Sequence, residues 1–335
     1  MTGLILRRLA QLPLILIVIY TVTLTLAWLI PGNPLENPDG RRPSPEVTEQ
    51  MLRQYDLDSY PRFYVSYLDR VTGLQCIRDA VAGDAGGRSA EASASGFALP
   101  ARPVFDFGPS LQYDDWTVNE IIAGSLPVSV TLGGVAMILA TGIGVAAGVI
   151  GAVKPNSAAD LATLVIALVG ISLPSFVIGT VLLLVFSVWL PVFPVAEWGT
   201  AGALVLPAFT LSLPFAAYIA RLTRFGMIEA LQSDYVRTAR AKGASERRVL
   251  LVHALPNAFL PVLSYLGPAT AFAMTGSFVV EKVFNIPGMG QHFVAAVQNK
   301  DLFLIMGVVL VFAAMLVLFN LAVDVLYRFV DPRIG

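Results

Sequence analysis

Residues 235–256 read YVRTARAKGASERRVLLVHALP. Five basic side chains, Arg237, Arg240, Lys242, Arg247 and Arg248, stand in this stretch of a chain that is 56% hydrophobic and only 13% charged. Small residues lie among them: Ala239, Ala241, Gly243, Ala244 and Ser245. A run of charge in an apolar chain is first of all a solvated flank. That accounts for its sign but not for its length. The stretch between the adjoining apolar runs covers 224–257, where a connection of a few residues would serve. Its spacing predicts a helix from about Asp234, a turn at Gly243 and a second helix leading to Leu255-Pro256. Small residues let a partner surface approach the backbone, and the cations around them suit acidic groups on that partner.

Outward from this segment the chain is apolar. Its 335 residues carry a formal net charge of −1 and a mean hydropathy of +0.72, a composition with too little polar surface for a water-soluble exterior. Apolar runs fall at about 9–30, 126–152, 161–190, 203–223, 258–280 and 302–326, and each is long enough to cross a hydrocarbon core of roughly 30 Å. The expected fold is therefore an all-α integral membrane protein with six transmembrane helices. The first run is too long for a signal-peptide core and is not followed by a small-residue cleavage site, so it reads as a retained helix. The one cysteine, Cys76, excludes an internal disulfide.

Lysine and arginine set the expected direction. With the N-terminus inside, the inner flanks hold Arg7, Arg8, Lys154, seven basic residues within 221–248, Arg328 and Arg333. That is twelve, against Lys282 and Lys300 on the short outer loops. Both termini are accordingly expected in the cytoplasm.

The second run is rich in glycine, including GVAAG at 144–148, a spacing that lets helix backbones approach closely. Packing within the chain is the more economical reading than a dimer motif. Pro174 and Pro214 should kink the third and fourth spans. Residues 31–118 form an extracytoplasmic loop with Ser44-Pro45 as a helix start, a short helix to about Tyr55 and a second near 62–71. Residues 82–96 are small and polar and read as a linker. The loop has too little apolar surface for an enzyme domain, so a cover or docking element is expected of it.

Absent motifs narrow the function. The chain has two histidines, His253 and His292, both read as polar flank residues, and no lysine follows a glycine as a phosphate-binding loop requires. No G-x-S-x-G is present. Acidic groups inside the spans, which ion-coupled carriers use, are nearly missing; Asp160, Arg221 and Asp324 fall near span edges, where snorkelling explains them. If the protein moves a solute, the energy arrives from outside the chain.

The stretch RTARAKG with its following Leu255-Pro256 resembles the cytoplasmic EAA loop of ABC importer permeases. Thr238 and Ala239 occupy its two small positions and Gly243 its glycine, while Arg237 replaces the glutamate, as in the peptide-transport branch. ILRRLAQLP near the N-terminus, FDFGPSLQYDDWTVNEIIAGSLPVSVTLG (105–133), LPVLSYLGPA (260–269), TGSFVVEKVFNIPGMGQHFV (275–294) and LFNLAVDVLYRFVDPRIG (318–335) are similar to the B-type permease of oligopeptide ABC importers. Residues of about 72–104 look like an insertion relative to that family. The resemblance implies a type I importer permease fold, with 1–30 as N-terminus and first helix, 31–118 as outer loop and 119–335 as five-helix transport core. It also implies a second homologous permease, two cytoplasmic ATPase subunits that bind ATP and Mg, and an extracytoplasmic solute-binding protein, all around a lipid bilayer and without nucleic acid. No cofactor is expected in this chain itself, and no catalytic or metal site. Arg237, Thr238, Ala239, Arg240, Ala241, Lys242, Gly243, Ala244, Ser245, Leu255 and Pro256 would form the ATPase-coupling segment. Pro287, Gly288 and Gly290 would lie at an outer gate or a binding-protein contact, with a plain surface turn as the alternative. Peptides are the expected solute, with nickel complexes or sugars as alternatives. An ion-coupled carrier, a receptor without a path and an intramembrane hydrolase remain as competing classes.

Overall fold

Sustained apolar sequence without helix-breaking polar clusters builds long helices, and four of them are long and apolar enough to cross a membrane. They are α1 (Thr2–Leu29), α4 (Val118–Val153), α7 (Ala201–Gln232) and α13 (Leu302–Val330). The computed structural model describes residues 2–31, 35, 45–74, 105–113, 115–195, 197–275 and 278–330. Two further candidates are bent helix pairs. In one, α5 (Ala158–Ser172) meets α6 (Ser175–Trp189) at 101°. In the other, α9 (Glu246–Ala258) meets α10 (Leu260–Met274) at 55°. Counting each pair as one span brings the total to six. Among the described residues there is no β-strand, only one antiparallel bridge between Pro109 and Thr117.

The third span was expected as a kinked rod and is instead sharply broken. Leu173 is extended, with φ −82° and ψ 131°, because the ring of Pro174 disfavours helical backbone in the residue before it. Pro214 behaves differently. α7 runs as one helix through both Pro207 and Pro214, so the helix is not broken there as it is at Pro174. Span five ends at Met274, short of the expected 280, and residues 278–284 form a separate helix, α11 (Phe278–Phe284), followed by α12 (Met289–Gln298). In the 31–118 segment, α2 (Pro45–Gln54) and α3 (Tyr60–Thr72) match the two short helices read from the sequence. The linker at 82–96 and nearly all of the 72–104 insertion lie outside the described residues.

The chain divides into two units. The first combines Ser125–Gln291 with the two terminal stretches. Its core is built from Leu132, Met137, Leu211, Ile219, Val262, Val280 and Ile286, all buried. Glycine sets the helix separations. A β-carbon at Gly148 would sit 2.5 Å from Thr223 Cβ and 2.7 Å from the Ala220 carbonyl oxygen, and one at Gly144 2.6 Å from the Ala216 carbonyl oxygen. The glycines of GVAAG therefore pack α4 on α7 within this chain. Asp160, expected to reach for head groups, is buried and forms a two-pronged pair with Arg224, Nε to Oδ1 at 2.6 Å and NH2 to Oδ2 at 2.7 Å. The Asn156 amide donates to the same carboxylate at 2.8 Å. The pair ties the start of α5 to α7.

The second unit comprises Leu16–Gly124 and His292–Val311. Its centre is an aromatic cluster in which Phe63 and Tyr67 stack and Phe303 meets both, with Tyr20, Trp28 and Tyr55 around it. Phe303 is 2% exposed and meets three of these rings edge-on, the geometry ring quadrupoles favour. Beside it the buried Asp301 carboxylate accepts from Ser110 Oγ at 2.6 Å and from the amides of Leu111, Gln112 and Leu304. It thus caps α13 and fixes the loop that precedes α4.

Candidate functional site

The basic segment folds as a helix–turn–helix. α8 (Asp234–Ala241) follows α7 after the single residue Ser233, whose φ of −72° and ψ of 155° turn the chain. It ends in a Schellman motif: the Ala244 amide donates to the Ala239 carbonyl at 3.1 Å and the Gly243 amide to that of Arg240 at 2.9 Å. Gly243 has φ +80°, a left-handed conformation that costs any residue with a β-carbon. α9 then starts at Glu246, passes through a π-helical stretch at Val249–Ala254 and reaches Ala258. Such wide turns concentrate at functional positions in helices.

What holds this element in place is a small apolar core. Val236 and Val249 are fully buried with Met227, Ala230, Ala152, Ala254 and Ala258, and Ala244 and Leu255 pack against them. A β-carbon at Gly226 of α7 would lie 2.8 Å from the Ala258 carbonyl oxygen, so the base of α9 rests directly on α7. The turn is clamped to its own helices and continues into α10 through a single residue, Phe259.

The expected docking residues separate into two sets. Arg237, Thr238, Arg240, Ala241, Lys242, Gly243, Ser245 and Pro256 are exposed. Ala239 faces inward and is only 9% exposed, while Ala244 and Leu255 are partly buried against the apolar core. The small-residue notch is therefore narrower than the sequence implied, consisting of Ala241, Gly243 and Ser245, because a helix of this length must spend one face on its own support. The cations also divide. Arg240 reaches Glu246 across the turn with two hydrogen bonds of 2.9 and 3.2 Å, and Arg237 lies 3.3 Å from Asp234. These are exposed pairs that add little stability. Lys242, Arg247 and Arg248 have no carboxylate partner among the described residues and present their charge outward.

The segment around Pro287, Gly288 and Gly290 is organised by a residue the sequence reading passed over. Glu281 is fully buried. Its Oε1 accepts from Ser129 Oγ at 2.8 Å and its Oε2 from the Gly290 amide at 2.9 Å. Ser129 Oγ in turn accepts from the Met289 amide at 2.9 Å, and Gln291 Nε2 donates to the Glu281 and Ile286 carbonyls. Burial raises the Glu281 carboxyl above the ordinary carboxylate range, and its hydrogen bonds pull it back down. Gly288 and Gly290 are buried against this carboxylate, where a β-carbon would come within 2.5 and 2.9 Å of it. Of the three residues expected at the outer gate, only Pro287 is exposed. Burial raises the Asp301 carboxyl similarly and lowers His292, which lies edge-on to Tyr113. The side-chain partners Ser129 of Glu281, Ser110 of Asp301 and Arg224 of Asp160 come from distant parts of the chain, so no local signal shows them; the glycine pair at 288 and 290 is a local trace of the buried carboxylate.

Apolar helices long enough to cross a membrane, joined by a basic helix–turn–helix packed on its own apolar core, define a multi-pass helical membrane protein. The family model described as binding-protein-dependent transport system inner membrane component matches residues 144–335. The chain belongs to that family and is a multi-pass protein of the bacterial inner membrane. It is 39% identical over 333 residues to the oligopeptide transport system permease protein OppB of Salmonella typhimurium, covering 98% of each chain. It is 36% identical to the dipeptide transport system permease protein DppB of Bacillus subtilis, covering 95% of this chain and 93% of that one. In fold it is similar to a subunit of the inward-facing methionine ABC transporter MetNI, with a TM-score of 0.50 at 17% identity over 64% of this chain and 97% of that chain.

Proposed function

We propose that this chain is the pore-forming subunit of an ATP-driven, binding-protein-dependent importer of oligopeptides or dipeptides. Full-length similarity to oligopeptide and dipeptide permeases supports the substrate class. The mounting of α8 and α9 is the observation that carries the mechanism. A lever must be stiff, exposed at its tip and joined to what it moves. Val236 and Val249 anchor this one, Gly243 and its neighbours form the tip, and α9 continues into α10. In this reading both termini are cytoplasmic, the segment 224–257 faces the cytoplasm, and the exposed notch of Ala241, Gly243 and Ser245 seats in one of two ATPase subunits. Lys242, Arg247 and Arg248 orient it by their charge. ATP and Mg are bound by those partners, whose closure moves α8 and α9 as a body and changes which side of the path is open. A second homologous permease completes the path and an extracytoplasmic solute-binding protein delivers the peptide. This chain supplies motion and a route and performs no chemistry of its own.

The test is proximity. With Cys76 replaced by serine, Ser245→Cys in the assembled importer should cross-link to an ATPase subunit, and cross-linking efficiency should change when ATP is trapped. Cross-linking confined to lipid or to the solute-binding protein would overturn the assignment.

A further inference from the structure

α7 is 32 residues long, about 48 Å at 1.5 Å per residue, against a hydrocarbon core of about 30 Å. Its residues 201–220 carry no charge, and Arg221 is the first cation along it. Arg221 thus stands about 30 Å from the start of the helix, and the uncharged run before it has the length of a hydrocarbon core. Beside it opens a groove of about 380 Å³, lined by Leu164, Tyr218, Arg221, Leu222, Arg224 and Phe225. The two guanidinium groups in it are not equivalent. Arg224 is neutralised by the buried Asp160. Arg221 is exposed and has no hydrogen-bond or ion-pair partner among the described residues, so the groove keeps one uncompensated positive charge. Its remaining surface is amphipathic. Leu164 belongs to the face of α5 that exposes Leu161, Val165 and Leu168, and Phe225 is 72% exposed at the other edge.

A fixed cation at the end of that uncharged run, opening onto a continuous aliphatic face, matches one ligand chemistry: a phosphate diester with acyl chains attached. We infer that this groove holds an anionic phospholipid, its phosphate on Arg221 and an acyl chain running along α5 past Leu164. The guanidinium donates to the phosphate oxygens, as planar donors favour. A net-negative lipid is preferred over a zwitterionic one because the groove offers a single unpaired positive charge and no free carboxylate to receive an ammonium head. The ion pair Asp160–Arg224 keeps α5 and α7 at the separation that forms the groove. The topology proposed above would put this lipid in the inner leaflet; its retention does not depend on that topology.

The test uses the assembled importer in nanodiscs of phosphatidylcholine with a minor share of phosphatidylglycerol, followed by native mass spectrometry of lipids that stay bound. The intact protein should retain phosphatidylglycerol in preference to phosphatidylcholine. Arg221→Gln should lower that preference about fivefold, the factor expected for one interfacial cation, and Arg221→Lys should keep most of it. An excess of inorganic phosphate should leave it unchanged. Equal retention by the Gln variant overturns the proposal, as does displacement by inorganic phosphate, which would make this a site for free anions. A photoreactive residue replacing Phe225 should label lipid; labelling of a neighbouring polypeptide would show the groove to be a protein interface and also overturn it. Lipid retention is read without uptake, so it stands or falls separately from the permease reading, which the Ser245→Cys cross-link tests.

Discussion

Replacing Gly243 by alanine and by tryptophan separates the cost of its backbone from the fit of a partner. Both side chains impose a β-carbon at φ +80°, at a cost of about 1–2 kcal/mol. Among the described residues nothing lies within 4 Å of that β-carbon position, and Gly243 is exposed at the tip of the turn, so either side chain extends into open space. The two variants should therefore lose protection of the α8 amides equally in hydrogen exchange, by roughly five- to thirtyfold for that cost. A seated ATPase distinguishes them. Overfilling a packed contact costs about 1–3 kcal/mol, so seating of the tryptophan variant should weaken by about tenfold or more while the alanine variant still docks. In proteoliposomes holding the assembled importer, Gly243→Ala should retain most peptide uptake. Gly243→Trp should lose it while the ATPase subunits continue to hydrolyse ATP. Equal uptake by the two variants would show that nothing sits against the turn and would refute the coupling role.

Other consequences concern the frame around that turn. Gly148→Ala should destabilise the protein in detergent by about 1–3 kcal/mol, because its methyl would meet Thr223 and the Ala220 carbonyl oxygen. Gly142→Ala, where nothing among the described residues lies within 4 Å, should be neutral or stabilising; equal thermal shifts for the two would contradict the α4–α7 packing. Phe303→Ala removes the ring shared by Tyr55, Phe63 and Tyr67 and should cost about 3–5 kcal/mol, exposing α3 to limited proteolysis at temperatures where the unaltered protein resists. Glu281 gives a pH signature. Its folded carboxyl titrates above the ordinary value of 4.5, so the folded state binds the proton more tightly. The stability this contributes is complete below that value and is lost as pH rises through the raised one. Glu281→Gln should remove that slope from the melting curves, and an unchanged pH dependence would place the titration elsewhere.

Most of the architecture was legible because it rests on length and local chemistry. Twenty apolar residues span a membrane whatever they pack against, and a glycine after RTARAK predicts a left-handed helix end that Gly243 adopts. What the sequence could not display were choices made between distant residues. Pro174 announces a break, but the 101° angle depends on what α5 and α6 pack against. Asp160 looks like an edge residue until Arg224 is brought beside it. Glu281 falls just past an apolar run, and only the fold supplies Ser129. In the basic segment, composition showed five small residues, and only packing showed that Ala239 serves the inner face. Pro174 and Pro214 look alike in sequence, yet only Pro174 ends its helix, while α7 continues through Pro214.

The central claim is that this chain is moved by an ATP-hydrolysing partner and has no drive of its own. The most direct measurement compares peptide accumulation in two sets of liposomes, one holding the chain with its second permease, ATPases and binding protein, the other the chain alone. The complete set should accumulate peptide only when ATP is present on the ATPase side, and the lone chain should accumulate none under a proton or sodium gradient. Gradient-driven accumulation by the chain alone would contradict the account.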